Sequence, residues 1–150
     1  MTSGGIRRDL IFLKLQEIND AVTLIEKHLP PTVGEFIHLG LIKDGIYKRT
    51  EFAIEDVFDI CAVLNTDLRL GIPSEEEDLI KHLIDAQILS PSIRPKLKGM
   101  RGFRNIMVHR YGTIDDRLAF EVLRRNLQDF SAFCDEIRSY LAPTTSYAHR

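Results

Sequence analysis

Apolar residues recur at helical spacing along most of the chain. Ile11, Leu15, Ile18, Val22, Ile25 and Leu29 follow steps of four and three, one stripe down a helix, while Lys14, Glu17 and Lys27 lie elsewhere. Pro30-Pro31 ends that helix. A connector rich in glycine (Gly34, Gly40, Gly45) leads to a second helix from about Ile46 to Leu70. Ile54, Val57, Phe58, Cys61, Leu64 and Leu68 share one side of it, and Ala53, Ile60 and Val63 make the other side apolar too. Such a helix has to be covered on more than one face, by other helices or by a second copy of the chain. Gly71-Ile72-Pro73 stops it, and Ser74 before "EEED" predicts an N-cap and an acidic first turn for a third helix reaching about Gln87. A fourth begins between Ser90 and Pro95 and runs to Gly112. The last starts after Asp115 or Asp116, carries Phe120, Leu123, Leu127, Phe130, Cys134, Ile137 and Leu141 in register, and stops before Pro143. With strand periodicity nearly absent, the prediction is all-α, an up-and-down bundle of four to five helices.

A length of 150 residues fits a single domain. Its core is expected over about residues 7–141, with 142–150 as a flexible tail. An apolar content of 44% with 28% charged residues is ordinary for a soluble protein. No apolar run approaches the roughly 20 residues that span a bilayer, so no membrane partner is expected. The opening "MTSGGIRRDL" places charges among its apolar positions, unlike a secretory signal, and a cytoplasmic location is expected. Cys61 and Cys134 fall inside apolar helical patterns without metal-type spacing and read as buried, reduced thiols. A net charge of -2 excludes a protein that coats nucleic acid by bulk electrostatics. Any polyanion has to be bound locally.

The fourth helix offers that locality. At about 100° per residue, Leu97, Met100, Phe103, Met107 and Tyr111 fall on one side. Arg94, Lys98, Arg101, Asn105 and His109 fall on the other, a basic stripe ending in an imidazole. Arg104 lies between the faces and is expected near a packing boundary. Asn105 and His109, four apart, project together. His109 stands in the last turn before Gly112, where the helix end favours imidazolium and nearby arginines oppose it, a balance that holds its pKa near neutral. Gly99 and Gly102 each cost roughly 1 kcal/mol relative to alanine, which points to a backbone or a substrate approaching closely. An imidazole that accepts and returns a proton, beside guanidinium groups facing a phosphate, suffices to cleave RNA without metal. The ribose 2'-hydroxyl is then the nucleophile, and DNA is left whole. One helix supplies one imidazole; a symmetric dimer supplies two. Arg104 and His109 are about 140° apart around a straight helix, so arginine reach, a distortion near Gly102 or a partner subunit has to bring them to one phosphate.

Glu51, Glu55 and Asp59 form an acidic line on the second helix. It reads as a solvated face or, more sharply, as the place where Glu55 or Asp59 orients Arg101 or Arg104. His28, His38, His82 and His149 are scattered and are expected on the surface, without a catalytic role.

The pattern Arg104, four residues, His109, one residue, Tyr111 resembles the R-x4-H-x-Y signature of HepT-like toxins in the HEPN superfamily. "FAIEDVFDICAVL" is similar to the family's second core helix. "GIPSEEEDLIKHLIDAQILSPSIRPKLKGMRGFRNIMVHRYG" is similar to its next two helices, and Asp115 to Leu141 to its closing helix. The resemblance implies a homodimeric, metal-independent ribonuclease with its active site at the dimer interface. It also implies the toxin role in a type VII toxin-antitoxin pair, with an MntA-like minimal nucleotidyltransferase as the antitoxin partner. Arg104 and His109 are then the catalytic pair, supported by Asn105 and Arg101, with Arg94, Lys98 and Arg101 binding RNA phosphates. Tyr111 is the implied acceptor of transferred AMP. No cofactor and no metal are implied.

Two other readings use the same residues. A non-catalytic helical subunit of a nucleotidyltransferase pair would use the basic stripe only to hold a nucleotide or to present a substrate. A structural dimerisation module would use none of its chemistry.

Overall fold

The computed structural model describes residues 5–107 and 114–143. Among them the chain forms seven α-helices and one 3-10 turn, with no strand. These are α1 (Arg8–His28), α2 (Val33–Ile37), α3 (Leu41–Asp67), α4 (Glu76–Asp85), the 3-10 turn Pro91–Ile93, α5 (Arg94–Met107), α6 (Asp116–Asn126) and α7 (Gln128–Leu141).

The long helix α3 is the pillar against which α1, α4, α5 and α7 pack. Its buried residues include Ala53, Ile54, Val57, Phe58, Ile60, Cys61 and Leu64, which surround the axis. Neighbours within one chain therefore supply cover on several of its faces. The α1 stripe is buried as the spacing predicts, from Ile11 through Leu15, Ile18 and Val22 to Ile25. Each such side chain contributes about 1.5–3 kcal/mol by leaving water. Cys61 and Cys134 are buried and unpaired, and burial raises the thiol pKa of both, that of Cys134 to about 11. No described helix is long and apolar enough to cross a membrane.

Four expectations about the helices and their boundaries change. The glycine-rich connector contains α2, which Thr32 caps by accepting from the Glu35 backbone N–H at 3.2 Å while its hydroxyl donates to Glu35 Oε1 at 2.8 Å. Phe36 then fills the core against Tyr47 and Phe120, with ring centroids 5.7 and 5.3 Å away. Second, α3 begins at Leu41 and not near Ile46, because Gly40, at φ +64°, turns the chain straight into it and Gly45 is carried inside the helix. Third, Ser74 does not cap α4. The N-cap is Glu75, and Ser74 donates its N–H and hydroxyl to Asp78 Oδ2 at 2.8 and 2.7 Å. Fourth, the closing helix is two helices, α6 and α7, which meet at Leu127.

The ends of the bundle are tied by side chains. Asp67, at the end of α3, accepts from the backbone N–H of Arg7 at 2.9 Å and from its guanidinium, and so satisfies the open N-terminus of α1. Arg8 donates to the carbonyl of Leu141 at 2.6 Å, closing the last turn of α7. His82, expected on the surface, is instead half-buried. Its Nδ1 lies 2.7 Å from Asn65 Oδ1, while Asn65 donates to the Gly71 carbonyl at 2.8 Å, fixing the α3–α4 corner. Gly71 has φ +123°, and a methyl there would lie 3.3 Å from the His82 ring, so the corner requires glycine.

Candidate functional site

The start of α5 is pinned before the basic stripe begins. Ser90 donates its N–H and hydroxyl to Glu136 of α7, both at 2.7 Å, and Pro95 sits in the first turn, where its missing N–H leaves no bond unmade. From there Leu97, Met100 and Phe103 turn inward and are buried. Lys98 and Asn105 face out and are exposed, and Arg94 and Arg101 are partly covered. The two faces expected of this helix are both present as far as Met107.

Arg104 emerges at the boundary between them, with its side chain 22% exposed. Its guanidinium carbon lies 5.4 Å from the centre of the buried Phe58 ring of α3, an attraction between cation and ring face. The fork end of the group meets Glu76, the first residue of α4. Nη1 donates to Oε2 at 3.1 Å and Nη2 to Oε1 at 2.5 Å. The hydrogen bond to Glu76 raises the Arg104 pKa, partial burial opposes it, and the charges of Glu76 and Glu55 add to the rise. Arg101 joins the same array, with Nε 3.5 Å from Glu76 Oε1 and Nη1 3.3 Å from Glu77 Oε1. Arg94 lies 3.6 Å from Glu77 Oε2. Guanidiniums and carboxylates therefore alternate from Arg94 through Glu77, Arg101 and Glu76 to Arg104.

The orienting acids expected on the second helix are corrected by this array. Asp59 pairs with Lys14 of α1 at 3.2 Å. Glu55 reaches Arg104 only through its charge. Both line a cleft of about 350 Å³ between α1 and α3, together with Glu17, Asp20, Arg49, Phe52 and Asp56. In an α-helix, residues at intervals of four drift slowly around the axis, and this drift carries the acidic line toward α1. The acids that do hold the arginines, Glu76 and Glu77, read in the sequence only as first-turn residues complementing the helix dipole.

Gly99 and Gly102 have open space where a side chain would begin. No described neighbour crowds them, so the packing of α5 does not call for glycine at either position. His109 and Tyr111 lie outside the described residues, as does the end expected for this helix at Gly112. The site thus brings Arg101 and Arg104 together through one shared acid, Glu76, sets Arg94 at the far end of the array, and leaves Lys98 and Asn105 on the open face. Among the described residues no group of His, Cys, Asp and Glu is arranged to hold a metal ion.

A family model described as Ribonuclease HepT-like matches residues 18–137, which include Arg104, His109 and Tyr111. The mRNA nuclease HepT of Shewanella oneidensis is 29% identical over 131 residues, spanning 87% of this chain and 98% of the relative. The tri-AMPylated Shewanella oneidensis HEPN toxin, solved in complex with an MNT antitoxin, superposes with a TM-score of 0.77 at 26% identity, covering 87% of this chain and 98% of that one. YutE of Bacillus subtilis, a cytosolic protein of unknown function, superposes equally well, with a TM-score of 0.77 over 93% of this chain and 96% of its own, at 17% identity. That likeness speaks to the fold alone.

Proposed function

The chain belongs to the HepT-like ribonuclease family, and on that premise we propose that it is a metal-independent endoribonuclease, the toxin of a toxin-antitoxin pair. The observation that carries this reading is Arg104, held at the edge of an exposed basic helix face by Glu76 and Phe58, within the segment that the family model matches. A fixed guanidinium stabilises the charge that grows on a phosphoryl group under attack, and stabilises it more when it need not reorganise. Arg94, Lys98 and Arg101 hold the flanking phosphates, and Asn105 supports the reacting group.

In the proposed reaction His109 accepts the proton of a ribose 2'-hydroxyl. The 2'-oxygen bonds to phosphorus as the bond to the 5'-oxygen breaks, and the leaving oxygen takes up a proton. The products are a cyclic phosphate and a 5'-hydroxyl end. Two copies of α5 facing across a homodimer supply one imidazole for each proton transfer. The partner is a nucleotidyltransferase of the MNT type. Transfer of AMP to Tyr111 adds bulk and negative charge at the cleft, which repels RNA phosphates. The antitoxin complex and the AMP groups of the Shewanella toxin support this part of the reading.

The test uses the purified dimer and its His109→Ala variant, incubated with total RNA in excess chelator. The expected result is cleavage that survives chelation and falls by about 10²–10⁴-fold in the variant, with single-stranded DNA untouched. Cleavage lost on chelation, or retained in the variant, refutes the mechanism.

A further inference from the structure

A carboxylate and an RNA phosphate compete for the same guanidinium chemistry, so the contact between Glu76 and Arg104 raises a question of sign. It either occupies the group that RNA needs or aims it. The geometry decides. A guanidinium has five N–H donors in one plane, and Glu76 takes two of them, one on each terminal nitrogen, at the fork end. The other edge, Nε–H with the second N–H of Nη2, keeps the spacing that matches two oxygens of a phosphate. Among the described residues neither of these donors has a partner. The Phe58 ring centre lies 5.4 Å from the guanidinium carbon, and the two hydrogen bonds to Glu76 restrain rotation of the fork. An arginine held at its fork end and against a ring presents its remaining edge in a restricted direction.

We propose that Glu76 is a positioning residue for RNA cleavage, holding Arg104 so that its free edge meets the reacting phosphate. This rests on the ribonuclease reading above. Glu77 has a different task. It contacts Arg101 and Arg94 at 3.3 and 3.6 Å and does not touch Arg104, so it sets where flanking phosphates are bound. Glu76 also lies 3.5 Å from Arg101 Nε, which couples the two tasks at one carboxylate. The first turn of α4 thus serves α5. Its negative charge weakens the overall pull on RNA and, in exchange, orients the guanidinium that opens the motif.

The experiment compares Glu76→Gln, Glu76→Asp and Glu77→Gln with the wild-type protein in steady-state cleavage of a single-stranded RNA, alongside NMR of the arginine Nε–H signals. Arg104→Lys identifies the Arg104 signal by its disappearance. For Glu76→Gln the expected result is a kcat lower by up to about 100-fold, a KM unchanged or lower because a negative charge is gone, and an Arg104 signal that shows free rotation of the guanidinium. Glu76→Asp, which keeps the charge, is expected to recover part of kcat, whereas Glu77→Gln moves KM and leaves kcat within about twofold. Circular dichroism and thermal unfolding establish that each variant folds. A Glu76→Gln variant with undiminished or increased kcat overturns the proposal, as does an Arg104 signal that the substitution leaves restrained. If the wild-type protein leaves RNA whole, the ribonuclease reading falls and the catalytic role of Glu76 falls with it. A restrained Arg104 signal in that case shows that the clamp serves the fold alone.

Discussion

Asp56 is a carboxyl group that the fold holds against its preference. Its side chain is 13% exposed beside Lys14, whose Nζ is 3.5 Å away. Burial, followed by a hydrogen bond to Glu17 and that residue's charge, raises its pKa from 3.8 to about 6, with Lys14 pulling the other way. Between those two values the folded protein keeps a proton that the unfolded chain has released, so stability falls as the pH rises through the window. A shift of about two units at 1.36 kcal/mol each amounts to about 3 kcal/mol, fully felt by neutral pH. Asp56→Asn keeps the shape and removes the charge. It also removes the pairing with Lys14, worth at most about 1 kcal/mol. The expected net effect is a gain of about 1–3 kcal/mol near pH 7.5, with Tm higher by about 2–4 °C for each kcal/mol. Near pH 3 the wild-type carboxyl is already protonated in the folded state and largely so in the unfolded chain, and the gain vanishes. Urea unfolding followed by circular dichroism at both pH values measures this. A variant less stable than the wild type near pH 7.5, or one whose gain is the same at both pH values, refutes the reasoning.

Asp116 titrates with the opposite sign. Partial burial would raise its pKa, but hydrogen bonds from Lys43 at 2.7 Å and Tyr47 at 2.5 Å outweigh burial and hold it below 3.8. Its contribution is therefore complete above the unfolded value and is lost as the pH falls through the lower folded one. Asp116→Asn is expected to cost about 1.5–3 kcal/mol near neutral pH and progressively less below about pH 3.8, and an equal cost at both ends of a pH series of urea melts would show that charge is not the cause. Phe36→Ala empties a site that is 0% exposed between two aromatic rings. Its expected cost is about 3–5 kcal/mol in the same melts, and a loss under about 1 kcal/mol would mean that α2 adds little to the core.

The parts of this fold that the sequence made legible are those in which one periodicity runs unbroken between hard stops. The α1 stripe ending at Pro30 is one, and the buried side of α5, Leu97, Met100 and Phe103, is another. The short helix α2 hid among glycines, although Thr32 and Glu35 carry the spacing of a capping box and could have exposed it. The break at Leu127 left no mark, because its backbone stays helical (φ -58°, ψ -32°) and no glycine or proline interrupts the apolar register. At the site, the arginines were legible as a face and their acids were not. Arg104 and Glu76 lie 28 residues apart, symmetric about Ser90, where the chain doubles back between α4 and α5. Side-chain spacing along one helix reports neighbours on that helix. It carries no record of which carboxylate the turn at residues 86–93 brings across, and the drift of Glu51, Glu55 and Asp59 toward α1 follows only once α1 is in place.

The bond from Arg8 to the Leu141 carbonyl sets the two extremities of the bundle side by side. A few residues of linker would bridge them, and the corner at Ile72, 97% exposed, is a place where the loop so formed could be cut open again. Connectivity and packing are thus separable here: a rewired polypeptide that begins with α4 and finishes with α3 would bury the same side chains against the same pillar.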